Sequence, residues 1–157
     1  MPGPIKTADR PSDPREIVTT RIFAAPREEV FAAFADPQRL AQWWGPYGFT
    51  NTIHLFDLRP GGSWRLTMHG PDGADYPNQS EFTEVVPPQR IVFQHLGPVH
   101  PFRMTMTFTE QGRATALTWR MLHETAAEVA QLGEFLAGAN EQNFDRLAAH
   151  LANYHNP

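Results

Sequence analysis

Between residues 50 and 122 the chain offers no link long enough to cross from one end of a sheet to the other. Six stretches of alternating character, about 50–58, 62–69, 77–86, 89–96, 102–110 and 113–122, are joined only by RPGG (59–62), GPDGAD (70–75), PPQ (87–89), GPVHP (97–101) and EQG (110–112). Links this short are turn chemistry. A parallel pair needs a crossover of roughly a dozen residues or more, so these strands form an antiparallel meander.

The flanking segments complete the plan. EIVTTRIF (16–23) is rich in β-branched residues and adds a seventh strand. In APREEVFAAFAD, Pro26 suits the first helical position, and Glu28 and Glu29 sit where the helix dipole favours negative charge. Asp36 then caps a second short helix that starts at Pro37 and runs through PQRLAQWW. The last element is a helix over about 126–153. Thr125 and Glu128 have capping-box spacing, and Leu132, Leu136, Asn140, Phe144, Leu147 and Leu151 form one stripe. The fold class is therefore α+β: a seven-stranded curved antiparallel sheet, two short helices between strands 1 and 2, and one helix long enough to cover the apolar face. Residues 1–15 read as a flexible arm because of their prolines and mixed charge, and 16–157 read as a single domain.

Several function classes are excluded. A formal charge of −4 with both signs scattered leaves no nucleic-acid footprint. No apolar run reaches the ~20 residues of a membrane-spanning helix, and the N-terminus lacks a secretory apolar core. With no cysteine present, a cytoplasmic setting is expected. The seven histidines never fall at HxH, HxxxH or HExxH spacing, so neither a metal nor another cofactor is expected. There is no GxSxG nucleophile turn, and RPGGS lies between two strands as a hairpin, lacking a phosphate loop's lysine and helix. No catalytic residue can be named.

Alternation assigns a cavity-facing side. Trp64 and Met68, Phe93 and His95, Met104 and Met106, and Trp119 and Met121 share phase with apolar neighbours. Phe82 and His54 join them, although the faces of 50–58 and 77–86 stay open: Ile53 and Leu55 compete with His54 and Phe56, and Phe82 with Val85. From the helix, Leu136 and Asn140 face the same space. Methionine and tryptophan adapt to irregular shapes, and aromatic-lined clefts are the usual sites for small molecules. QWWGPYGF (42–49) closes one end. There Trp43 packs inward with Leu40, while Trp44, Tyr47 and Phe49 are expected at the rim of the cavity mouth. That mouth is expected where residues 43–49 and the loops 70–76 and 97–101 meet the long helix.

The segments VFAAFADPQRLAQWWGP (30–46), DLRPGGSWRLTMHGPDGADYP (57–77), EVVPPQRIVF (84–93), TMTFTEQGRATALTW (105–119) and NFDRLAAHL (143–151) resemble the START/Bet v 1-like (SRPBCC) superfamily. Within it they resemble the bacterial branch related to the C-terminal domain of the activator of Hsp90 ATPase. The resemblance implies a helix-grip fold, in which a seven-stranded sheet wraps around the C-terminal helix. It implies binding of an apolar or amphipathic small molecule in the internal cavity, and a habit of forming homodimers that fits the short edge strands. It supplies no catalytic residues. Two other functions stay open: an aromatase/cyclase- or hydrolase-like enzyme using the same cavity, and a co-chaperone-like interaction module.

Overall fold

The structure is a computed structural model that describes residues 10–97 and 100–154. Strand β1 (Glu16–Phe23) is followed by helices α1 (Arg27–Ala35) and α2 (Pro37–Trp43). Then come β2 (Thr50–Phe56), β3 (Ser63–His69), β4 (Asp75–Val86), β5 (Arg90–Gly97), β6 (Phe102–Gln111) and β7 (Ala114–His123), and finally α3 (Ala126–Asn153). The sheet is antiparallel throughout, in the order β1-β7-β6-β5-β4-β3-β2. It curves around α3, which lies against β1 and β7 and against α1 and α2. This is an α+β helix-grip architecture.

Local chemistry explains the helix ends. Pro26 is the N-cap of α1, with extended backbone, one position earlier than the sequence suggests. Its φ of −64° suits either place, but its ψ of 155° keeps it outside the helix. Asp36 caps α2 by accepting a hydrogen bond from the Gln38 N–H at 2.9 Å, with Pro37 at the first helical position. Thr125 caps α3 through the Glu128 N–H at 3.1 Å. The Glu128 side chain does not return to the cap. It turns towards His123 and His100 instead.

Two bulges settle the open faces. In β2, Ile53 pairs with Leu66 and Leu55 with Arg65, so the strand changes phase at His54. Ile53 and Phe56 thus both face the core, while Leu55 faces out. In β4 the register shifts between Phe82 and Glu84, which turns both Phe82 and Val85 inward.

The core is centred on Phe34. Its ring meets Trp43, Trp44, Phe56, Trp64 and Phe82 at centroid distances of 5.5–6.5 Å. Such edge-on aromatic contacts add roughly 0.5–1.5 kcal/mol each beyond area burial. The last residues of the N-terminal arm are tied to β7. The His123 N–H donates to the Arg15 carbonyl at 2.8 Å, and Arg120 donates to the Arg10 carbonyl and to Glu16. The rest of the arm, residues 1–9, lies outside the described residues, as do residues 155–157 of the expected domain.

Candidate functional site

The QWWGPYGF turn is anchored on the back half of α3. Trp43 is buried, and its indole N–H donates to the Ala33 carbonyl at 3.0 Å. Asn143 donates to the Trp43 carbonyl at 2.9 Å, and the Tyr47 N–H donates to Gln142 at 3.0 Å. Gly45 has φ +98°, a conformation that favours glycine, and a Cβ there would also press to 2.8 Å on the movable Met68 methyl.

The three rings expected at a rim take different places. Trp44 is half-buried, its ring 5.1 Å from Trp64 and 5.3 Å from Trp119, so it lies under the helix as part of the interior wall. Tyr47 is exposed on the outside of α3, where its hydroxyl donates to Asp145. The Tyr47 hydroxyl, and after it the Arg21 guanidinium, hold the Asp145 carboxyl below its ordinary value. Phe49 packs on Tyr76, with centroids 5.8 Å apart.

On the sheet, Trp64, Phe82, Phe93, Met104, Met106, Trp119 and Met121 lie on the concave face and are buried, with Met68 partly buried beside them. His54 does not join them. The β2 bulge sends it to the convex face, where its Nε2 meets the Thr67 hydroxyl at 2.8 Å. It lines a surface hollow of about 510 Å³ with Arg65, Pro77, Gln79 and Leu96. That hollow is across the sheet from the buried polar groups, so its size alone does not mark the functional site.

Those polar groups form one cross-strand row. His123 pairs with Phe102, Phe102 with His95, His95 with Ser80, and Ser80 with Trp64. His123, His95, Ser80 and Trp64 are all buried. Phe102 sits between the two imidazoles, at 4.9 Å from His95 and 5.4 Å from His123. Among the described residues, the indole nitrogen of Trp64 and both ring nitrogens of His123 have no hydrogen-bond partner, and neither does the indole nitrogen of Trp119. His123 Nδ1 is 3.5 Å from the Glu128 carboxylate, and His100 Nδ1 is 3.8 Å from the same oxygen. Burial pushes the His123 imidazole below its ordinary value, against the opposing pull of Glu128. The adjacent row, Met121–Met104–Phe93–Phe82, is wholly apolar.

Helix α3 covers these rows unevenly. Its fully buried residues are Asn140, Asn143, Phe144 and Leu147, all in the back half. Ahead of them Val129, Leu132 and Leu136 are only partly buried. Asn140 marks the boundary and donates to the Thr19 hydroxyl and the Met121 sulfur, each at 3.3 Å. The front half of the helix is therefore less completely covered than the back half, with Val129 and Leu136 packed against the core from its margin. Pro98 and Val99, in the loop expected at the cavity mouth, lie outside the described residues.

A family model for activator of Hsp90 ATPase homolog 1-like proteins matches residues 24–152. The chain belongs to this family. Solved structures agree with the assignment. The Mycobacterium smegmatis protein Ms6760 is 27% identical, over 90% of this chain and 93% of that one, with a TM-score of 0.77. The AHSA1 protein of Silicibacter pomeroyi is 25% identical, over 89% and 99%, with a TM-score of 0.74. DynU16, a protein of the dynemicin biosynthetic locus, is 25% identical over 88% of this chain and 48% of its own, with a TM-score of 0.66. A search of curated proteins found no match.

In this member of the family, sequence reasoning missed His123, Ser80, Phe102 and Glu128 as parts of the site. The first three were accessible by phase, Phe102 standing one step of two before Met104. His123 continues Leu117, Trp119 and Met121 by one more step of two, and Ser80 precedes Phe82 by the same step. No helix among the described residues is long and apolar enough to cross a membrane.

Proposed function

We propose that this protein binds a small hydrophobic or amphipathic molecule between the concave face of the sheet and the front half of α3. The observation that carries this reading is the set of buried nitrogens without partners among the described residues: Trp64 Nε1, Trp119 Nε1 and both of His123, in an otherwise aromatic and methionine-rich interior. Folded proteins leave few such groups, because each costs about 1–3 kcal/mol. A few polar groups set in a mostly apolar wall are the usual make-up of a small-molecule site. The front half of α3, where Val129, Leu132 and Leu136 are only partly buried, has less packing to give up around a guest than the back half. The reading includes a cytoplasmic setting, where such a molecule would be met.

The test is native mass spectrometry of freshly purified protein, followed by titration with the apolar dye ANS. A carried mass, or saturable dye fluorescence displaced by apolar competitors, is expected. A bare mass together with no saturable dye binding would overturn the proposal.

A further inference from the structure

We infer that the His123 end of this proposed site receives a neutral hydrogen-bond donor such as a hydroxyl group, so that the ligand is a ring-containing apolar molecule bearing such a donor and not a carboxylate. The inference rests on the binding reading above and adds the chemical class.

The argument starts with the imidazole. His123 is 3% exposed, and both its nitrogens lack partners among the described residues. The Glu128 carboxylate lies 3.5 Å from Nδ1. An anion on that side favours the tautomer with the proton on Nδ1, as a carboxylate beside an imidazole sets which nitrogen is protonated. Nε2 is then a lone pair, buried and without a donor. No O–H or N–H among the described residues reaches it.

The surroundings narrow the choice. Phe102 packs against His123 at 5.4 Å, and the next row offers Met121 and Met104, so whatever brings the donor has an apolar body and suits a flat one. A carboxylate is rejected twice. It has no proton to give Nε2, and it would add a second negative charge beside Glu128, whose buried Oε2 already lacks a hydrogen-bond partner. His100, 3.8 Å from the same oxygen, is half-exposed and stands on its outer side.

The experiment compares naphthol, naphthalene and naphthoate as competitors of ANS at pH 7.5. Naphthol is expected to compete at concentrations about tenfold or more below those of naphthoate, the discrimination typical of one buried hydrogen bond. His123→Phe is expected to erase the advantage of naphthol over naphthalene. Equal competition by naphthol and naphthoate, or a naphthol preference that survives His123→Phe, would overturn the inference while leaving the binding proposal in place. Failure of all three probes on the unmodified protein would overturn the binding proposal as well. Should His123→Phe not fold, nitrogen NMR of the unmodified protein decides. The Nδ1–H tautomer of His123 is expected, and the Nε2–H tautomer overturns the assignment.

Discussion

The guanidinium of Arg146 donates to the backbone carbonyl of Trp44 at 2.9 Å, fastening the end of α2 to the back half of α3. The same group reaches the carbonyls of Gly45, Pro46 and Gln42 at 3.0–3.1 Å. These include carbonyls that α2 leaves unpaired at its C-terminus, and a cation is favoured there. Arg146→Met keeps the stem and removes the donors. It is expected to lower unfolding stability by about 1.5–3 kcal/mol in urea titrations, the range for hydrogen bonds to a charged group. An unchanged midpoint would show that water replaces the guanidinium without loss.

The uneven roof gives a second expectation. Leu147 is fully buried, whereas Leu132 is only partly covered on the same helix. Leu147→Ala is expected to cost about 2–5 kcal/mol. Leu132→Ala is expected to cost less than about 1 kcal/mol, since little packing is lost. Equal losses in denaturant unfolding would mean that the helix is gripped along its whole length.

Much of this was legible in the chain. Short links dictated the meander, and alternation placed Trp64, Met104, Met106, Trp119 and Met121 on the concave face. Alternation failed where the period itself broke. The extra residue at His54 reverses the phase of β2, and no single-residue signal in TNTIHLF announces it. The α3 stripe is regular in sequence, yet within it only Asn140, Phe144 and Leu147 are fully buried, because spacing records which face turns inward and not how completely it is covered. The polar row needed register: His123, His95, Ser80 and Trp64 lie on four strands and become neighbours only after pairing.

Two histidines make stability depend on pH. His123 is held below its ordinary value of 6.5 by burial. His150 is lowered by burial and then by the Arg39 charge, and its Nε2 accepts from Arg39 Nε at 3.1 Å. Both folded values lie below the unfolded one. The stability they contribute is therefore fully present above about pH 6.5 and is lost as pH falls through the folded values. Asp13, at about 2, and Asp145, also lowered, stay ionised through this window. Urea midpoints should fall between pH 7.5 and pH 5.5, and His150→Gln should flatten part of that fall. Identical midpoints at the two pH values would contradict the assignment.

Trp44 and Tyr47 separate wall from surface within the same turn. Trp44 touches the rings of Phe34, Trp43, Trp64 and Trp119, and it bridges β3 and β7 across the inside of the sheet. Removing it leaves a hole bounded by rings already fixed by other contacts, so the site cannot collapse to fill it. Trp44→Ala is expected to cost about 3 kcal/mol or more in urea unfolding. Tyr47, more than half exposed, reaches only Asp145 with its hydroxyl, and Tyr47→Phe is expected to leave the midpoint where it is. A loss below about 1 kcal/mol for Trp44→Ala would return that ring to the rim, and the concave face would then lack the wall that joins Trp64 to Trp119.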